Sequence, residues 1–320
     1  MRNALLAMFG TLILFVLVVG VGGGWLVRWV GNEATGVKRA THADLYAHAV
    51  AGLKTVVVRV NRGDVKIHPE VGATLRASLT RVGAAKDADE AGKRADAIGW
   101  TQAVVGDTLR LEVTVPPDPG FADLGPALTG GAYQATLELF LPAGPGIDVG
   151  LETGNLTAVG VAGGAKVQLG TGDADLTNVS GTLALTAGTG DVTITRGAGA
   201  TTAAVGTGDL RIQDRPGPAL DARTTTGNLD WAYAAAEPPM TNRLETQTGN
   251  LTVSAGPKAD LALELEAGVG RVMNDARLKG QVRATGAAGS RASLVAGKPT
   301  HKLNGRTGTG QVLVEGPRGG

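Results

Sequence analysis

Apolar and polar positions alternate along this chain around a recurring glycine. Counting back from each glycine, positions −7, −5, −3 and −1 carry apolar or small residues, and after it the apolar set moves to positions +2 and +4. In one repeat these positions hold Leu183, Leu185, Ala187, Thr189, Val192 and Ile194, around Gly190. A period of two is typical of a half-buried β-strand, so each repeat predicts two short strands.

The step from the inward position −1 to the inward position +2 is three residues. Because side chains alternate between the two faces of a straight strand, a step of an odd number of residues would turn the core face towards solvent. Each glycine therefore predicts a bulge or corner, where the missing Cβ tolerates a positive φ. The predicted corners are Gly154, Gly172, Gly190, Gly208, Gly227, Gly249, Gly270 and Gly310, with a degenerate copy at Gly289.

These glycines, Gly289 included, are 18, 18, 18, 19, 22, 21, 19 and 21 residues apart. A period near twenty is typical of a stacked solenoid. We therefore expect an all-β, single-domain β-solenoid (β-helix) of about nine regular coils over residues 151–315, with a tail at 316–320. Because aromatic residues are only 3% of the chain, the core should be thin, and the inward threonines at −1 should stack as a ladder inside it.

Residues 55–150 are less regular and are predicted to start and cap the solenoid. Val56, Val58 and Val60 before Gly63 obey the same pattern, which predicts an early coil. A short helix is expected around Asp87 to Ile98, followed by strands at 109–115 and 137–141 on either side of a Pro/Gly-rich loop at 116–132.

The N-terminus carries a charge-free apolar segment from Asn3 to Val27. Its length of 25 residues fits a single transmembrane helix, so residues 1–30 are predicted to be an anchor and 31–54 a juxtamembrane linker. A cleaved signal peptide is the alternative. Arg28, Lys38 and Arg39 follow the segment, whereas Arg2 precedes it, and the positive-inside rule would then place the solenoid in the cytoplasm.

The order of motifs resembles a known family. A Gly-Asp-Val-x-Ile strand is followed by an interrupting loop, by "LELFLPAG", by "VGLETGNL" and then by coils such as "GTGDVTI" and "VGTGDLRI". Over residues 55 to 315 this is similar to the bacterial putative-adhesin family of β-solenoid domains of unknown function, relatives of head-GIN domains. The resemblance implies a membrane-tethered, extracytoplasmic solenoid active in adhesion or envelope sensing, with no established catalytic residues. It conflicts with the orientation from the charge rule.

The composition limits the chemistry. The chain has 320 residues, a net charge of +1 and no cysteine, so disulfide and thiolate–metal chemistry are excluded. His42, His48, His68 and His301 lack metal-ligand spacing and are expected to be solvated. Because no nucleophile elbow, phosphate loop or zinc signature occurs, we predict a protein that is not an enzyme and needs no cofactor or metal.

Asp173, Asp191 and Asp209 follow three successive corners, which should place their carboxylates about one strand spacing apart. A shared calcium ion is one interpretation. The other is a turn role, favoured because Asn155, Asn228 and Asn250 occupy equivalent positions.

Charge is uneven along the chain. Residues 271–320 hold nine Lys/Arg against Asp275 and Glu315, and the pattern places Arg283, Lys302 and Arg306 on the outside. These three predict a surface for an anionic envelope lipid or glycan, or for another protein. Nucleic acid is not expected, because aromatic stacking platforms are missing.

Three functions follow, the first preferred. The protein is a membrane-anchored envelope solenoid that binds or scaffolds without catalysis, touching the lipid bilayer through its N-terminal helix. Alternatively, it is a self-assembling, bactofilin-like structural element, because its final coil runs into 316–320 without an evident cap. The third candidate is a polysaccharide-acting β-helix enzyme.

Overall fold

The computed structural model describes residues 26–32, 37–118, 131–233, 241–255, 261–274, 279–284, 289–296 and 301–315. Within these ranges the chain forms two sheets of thirteen strands each and one helix, α1 (Ala88–Ala97). The predicted all-β class is confirmed.

The first half of the described chain contains the N-terminal strands and the first coils. Its strands are β1 (Leu26–Asn32), β2 (Val37–Ala49), β3 (Thr55–Arg62), β4 (Asp64–Glu70), β5 (Thr74–Ala85), β6 (Gly99–Val105), β7 (Thr108–Thr114), β8 (Tyr133–Pro142), β9 (Gly146–Thr153), β10 (Leu156–Val159), β11 (Ala165–Thr171), β12 (Ala174–Ser180) and β13 (Leu183–Thr189).

The second half contains the remaining thirteen strands. They are β14 (Val192–Ala198), β15 (Thr201–Thr207), β16 (Leu210–Gln213), β17 (Ala219–Thr226), β18 (Leu229–Tyr233), β19 (Thr241–Thr248), β20 (Leu251–Ala255), β21 (Leu261–Val269), β22 (Val272–Asn274), β23 (Lys279–Ala284), β24 (Ser290–Ala296), β25 (His301–Thr309) and β26 (Val312–Glu315).

Each coil consists of one strand from each sheet, joined at a corner glycine. The first sheet has the order β1-β2-β5-β8-β4-β10-β12-β14-β16-β18-β20-β26-β22, and the second has the order β23-β24-β21-β25-β19-β17-β15-β13-β11-β9-β3-β7-β6. Coils stack through parallel pairing in both sheets, as β13 does with β11 and β15. The solenoid prediction is therefore consistent with the observed topology.

The core lies between the two sheets and is filled by the predicted inward positions, with the exception of position −1. In the coil around Gly190 these are Leu183, Leu185, Ala187, Val192 and Ile194, all buried. One apolar cluster runs from Val56 to Val314 through the whole stack. Strand alternation thus buries every second side chain and leaves the others outside.

The coils do not stack in sequence order at the C-terminal end. Strand β25 lies between β19 and β21, and β26 lies between β20 and β22. The expected series from Gly249 through Gly270 and Gly289 to Gly310 is therefore wrong. Every coil presents the same inward pattern, so each can pair with any other, and the pattern does not specify its neighbour.

Gly289 is not a corner. It precedes β24, which pairs antiparallel with β21 and with β23. The resulting hairpin covers the end of the second sheet, so the expectation of a C-terminal end without a cap is also wrong. The last coil in the sequence lies inside the stack, where both its strands are paired.

The N-terminal cap is antiparallel. Strands β1, β2, β5 and β8 extend the first sheet, and α1 packs on β2 and β5. The predicted helix is confirmed: Asp87 accepts a hydrogen bond from the Glu90 backbone at 2.7 Å, and Arg94 pairs with Glu90 at 3.2 Å. The early coil at Gly63 is confirmed as well, since β3 and β4 pair with β9 and β10.

The predicted anchor and linker need a correction at their boundary. Residues 1–25 lie outside the described ranges, but Leu26–Asn32 form β1, and β2 occupies most of the segment expected to be a linker. Apolar residues at the end of a hydrophobic segment suit a strand as well as a helix, so hydropathy alone did not locate this boundary. Among the described residues, no helix has the length and apolarity needed to cross a bilayer.

Candidate functional site

The corner glycines form a single column along one edge of the solenoid. Their φ angles lie between +132° and +143°, a region that L-residues rarely adopt. On each corner glycine that follows Gly63 in the stack, a Cβ would lie 1.8–2.1 Å from the carbonyl oxygen of the corner glycine before it in the stack. The stacking order is Gly63, Gly154, Gly172, Gly190, Gly208, Gly227, Gly249, Gly310 and Gly270.

A column of Asp and Asn side chains runs beside the glycines. The Asp191 Oδ1 atom accepts a hydrogen bond from the Asp209 backbone N–H at 2.8 Å, and the Asp191 N–H donates to Asp173 Oδ1 at 2.9 Å. The same bond links Asp64 to Asn155 and Asn250 to Gln311. These side chains therefore join each coil to the next, which gives them a structural role that either Asp or Asn can fulfil.

Threonines at −1 do not face the core, as the sequence had suggested. Thr153, Thr171, Thr189, Thr207, Thr226, Thr248 and Thr309 are all exposed. The corner begins earlier than predicted: position −3 is the last inward residue, and both −2 and −1 face solvent. The odd step therefore spans −3 to +2.

An internal threonine ladder does exist, at position −3. Thr224, Thr246 and Thr307 occupy adjacent coils, and their hydroxyls donate to the carbonyls of Gly208, Gly227 and Gly249. Each hydroxyl thus satisfies a carbonyl of the neighbouring corner from inside the core.

The opposite edge of the solenoid contains a buried cation. Arg215 donates from Nε to Thr201 Oγ1 at 2.6 Å and from its two terminal nitrogens to the carbonyls of Val179 and Gly181. Burial lowers its pKa to about 10, so the group stays protonated at neutral pH. It ties three consecutive second-edge turns together, a function that the sequence did not reveal.

The predicted basic residues lie in the C-terminal half of the second sheet. Lys302 forms an ion pair with Glu264 at 3.3 Å, and Arg306 is opposite Glu245 and Glu266 in the neighbouring strands. Arg283 pairs through its backbone with Arg291 on the terminal hairpin. Insertion of β25 beside β21 brings acidic residues from before position 271 among the basic ones, so the surface is of mixed charge.

A groove with a volume of about 730 Å³ crosses these strands on the outer face. Its charged walls are Arg243, Glu245, Glu264, Glu266, Arg291 and Arg306. Arg243 pairs with Glu245 at 3.0 Å, and Arg291 pairs with Glu266 at 3.2 Å. Among the described residues, Arg306 has no ion pair, and it is therefore the groove's available cation.

A second groove, of about 490 Å³, lies nearer the N-terminal end of the same face. Gly150 lies at an outward position of this groove where the next two coils carry Gln168 and Thr186. Its wall residue Arg59 contacts Asp148 at 2.9 Å, so this groove offers no comparable free cation.

The histidines are not all solvated. His42 is buried, and its Nδ1 atom lies 2.7 Å from Asp96 Oδ1 on α1. His48 stacks on Tyr46, and His68 stacks on Phe140. The His42–Asp96 contact spans 54 residues of sequence, which explains why spacing gave no sign of it. Within the described ranges no cluster of three His, Asp or Glu side chains could hold a metal ion.

The chain aligns with three solved structures and with one protein family. No curated protein sequence matches the chain. A putative cell adhesion protein from Clostridium sporogenes aligns at 13% identity over 86% of this chain and 99% of that chain, with a TM-score of 0.27. For a putative adhesin from Bacteroides fragilis the values are 12%, 85%, 96% and 0.40. For a putative lipid binding protein from Parabacteroides distasonis they are 10%, 85%, 97% and 0.29.

Structural similarity at this level does not identify a ligand. The sequence match to a family begins just before the first coil and ends in the last strand. The family model that describes Toastrack DUF4097 covers residues 53–312, and the chain belongs to that family.

Proposed function

We propose that the protein is a non-catalytic binding scaffold of the bacterial cell envelope, held in the membrane by its N-terminal apolar segment. The observation that carries the proposal is that each coil uses its inward and corner side chains to maintain its own structure. Inward positions are filled by apolar packing, and corner carboxylates accept backbone hydrogen bonds. In the described part of the chain, the outer faces and their grooves remain available to a ligand.

The anchor is the apolar segment that precedes β1. Residues 3–25 contain no charged side chain, and 23 residues exceed the roughly 20 that a transmembrane helix requires. The solenoid is proposed to lie outside the cytoplasm. Protease added to intact cells should then degrade it, whereas protection until the cells are lysed would place it on the cytoplasmic side.

The proposed ligand is an acidic glycan that lies in the groove around Arg306. Eleven strand spacings separate β1 from β26 in the first sheet, a distance of roughly 50 Å. Head groups of the membrane that holds the anchor are therefore remote when the solenoid stands upright. A guanidinium without an ion pair, between two paired Arg–Glu couples, suits a carboxylate or phosphate on a long polymer.

Calorimetry on the full chain in detergent micelles tests this ligand, with polygalacturonate as the acidic probe and dextran as the neutral one. Arg306→Gln should weaken polygalacturonate binding about tenfold, since a charge-assisted hydrogen bond contributes about 1.5 kcal/mol. Arg110→Gln is the matched control, because Arg110 is also exposed on the second sheet, outside either groove.

Two outcomes would overturn the glycan assignment. Equal affinity for dextran and polygalacturonate would exclude charge recognition, and equal effects of the two substitutions would exclude the groove. Flotation with anionic vesicles gives a separate control: if Arg306→Gln reduces vesicle binding while polygalacturonate binding is unchanged, the anionic partner is a lipid.

A further inference from the structure

Exposed large hydrophobic side chains are concentrated at the N-terminal end of the stack. The described part of the chain exposes six of them. Four of the six belong to β2, to β6 or to the turn between β4 and β5: Leu45, Val71, Val104 and Val105. The most exposed are Val71, at 98%, and Val105, at 72%. Apolar side chains that are exposed together are typical of a surface that contacts a partner or a membrane.

Hydrogen bonds of the backbone bring these residues together, at the edge opposite the corner glycines. The segment 50–54 joins β2 to β3. Its first N–H donates to the Ala73 carbonyl in the β4–β5 turn at 2.9 Å, and its last donates to the Asp107 carbonyl in the β6–β7 turn at 2.8 Å. Val71 and Val105 each lie two residues before one of these carbonyls. The apolar rim consists of this segment together with Leu45, Val71, Val104 and Val105.

The charged side chains in and beside the apolar rim are paired with one another. Lys54 forms an ion pair with Asp107 at 2.9 Å, and Glu70 forms one with Arg76. Each pair has one cation and one carboxylate, so the two pairs add no net charge to this end of the stack. Contact with the rim would therefore depend mainly on the burial of apolar surface.

The chain enters this end directly from its apolar segment. Residues 3–25 carry no charge, and β1 begins at the next residue, Leu26. Leu26 pairs with Ala43 of β2, so the apolar segment joins the folded domain two residues, or roughly 7 Å, from Leu45. Because no linker separates the segment from β1, a segment held in the bilayer keeps the N-terminal end of the stack against the bilayer surface.

We infer that the apolar rim inserts into the interface of the bilayer that holds the N-terminal segment, and that this contact sets the orientation of the solenoid on the membrane. The inference rests on the anchoring proposed above. Apolar side chains of peripheral elements are buried in the head-group region, where lipid replaces water around them. A lipid surface suits the rim better than a protein partner, because the adjoining segment brings lipid to the rim in every anchored copy.

Fluorescence quenching in liposomes tests the contact, with single-cysteine variants of the full chain that carry the label bimane. The natural sequence contains no cysteine. A lipid with a nitroxide near its head group should quench bimane at Val105→Cys about threefold more strongly than at Val269→Cys, because quenching requires close approach to lipid. Val269 is the matched control, since it is also an exposed valine but lies in β21, towards the far end of the stack.

A charge placed in the rim provides a second test. Adding Val71→Glu to Val105→Cys should reduce the quenching about twofold, because a carboxylate resists transfer out of water. Val269→Glu in the same background should have no effect. Since Val71 is almost fully exposed, the fold should be retained, which circular dichroism checks.

Three results would overturn the inference. They are equal quenching at positions 105 and 269, no effect of Val71→Glu, and a blue-shifted bimane emission at 105 without quenching, which would mean that protein covers the rim. Flotation of the liposomes distinguishes this failure from a failure of the anchor. Protein that does not float with the liposomes contradicts both proposals, whereas protein that floats without quenching at 105 contradicts the rim contact alone.

Discussion

Gly249 and Gly310 are stacking neighbours: the backbone N–H of Gly249 donates to the carbonyl of Thr309 at 2.9 Å, although 61 residues separate the two glycines. The coil that ends the sequence therefore follows the coil around Gly249 in the stack. The intervening segment, with its corner at Gly270 and the β23–β24 hairpin, forms the terminal cap.

The corner column makes each glycine difficult to replace. Gly208→Ala would place a Cβ 2.1 Å from the Gly190 oxygen at a φ of +134°, and we expect a loss of about 3 kcal/mol or more in the free energy of unfolding. Urea unfolding measures it. Gly72→Ala is the control, because Gly72 has a φ of +122° and no atom within 4 Å of a Cβ. It should cost about 1–2 kcal/mol, and equal losses would argue against close stacking.

The Asp/Asn column predicts that the acceptor atom matters and the charge does not. Asp191→Ala removes the acceptor of the Asp209 N–H and should cost about 1 kcal/mol, the usual net contribution of one hydrogen bond. Asp191→Asn keeps an oxygen there, as Asn155, Asn228 and Asn250 do, and should leave the urea midpoint unchanged. A calcium-dependent rise in stability that is lost in Asp191→Asn would contradict this role.

Two threonines on β19 should respond differently to the same substitution. The buried Thr246 hydroxyl donates to the Gly227 carbonyl at 3.0 Å, so Thr246→Val should cost about 1 kcal/mol by leaving that carbonyl without its partner. Thr248 is exposed, and Thr248→Val should change stability by less than about 0.5 kcal/mol. Thermal unfolding measures the stability of both variants. A larger loss in Thr248→Val than in Thr246→Val would instead support the threonine ladder predicted at position −1.

Local pattern was sufficient to predict the coils but not their order. The alternation around Gly190 fixes which side chains are buried, because a strand has a period of two. Which coils become neighbours depends on contacts between the coils. The sequence contained one indication of these contacts, the residue at position −3. Threonine stands at −3 in the coils of Gly227, Gly249 and Gly310, whereas Ala267 stands there in the coil of Gly270.

The candidate site was predictable only in part, for the same reason. Arg306 and Lys302 are at outward positions, as expected. Their acidic neighbours Glu264 and Glu266 come from β21, which precedes the basic segment in sequence and joins it only through the insertion of β25.

Cysteine pairs at the corner test the coil order most directly, since the chain has no cysteine of its own. In the structure Thr309 lies beside both Thr248 and Val269, which puts Thr248 and Val269 two strands, or about 10 Å, apart. The double variant Thr248→Cys/Thr309→Cys should therefore form an intramolecular disulfide, and Thr248→Cys/Val269→Cys should not. Disulfide formation in the second variant but not in the first would show that the coils stack in sequence order and would contradict the account.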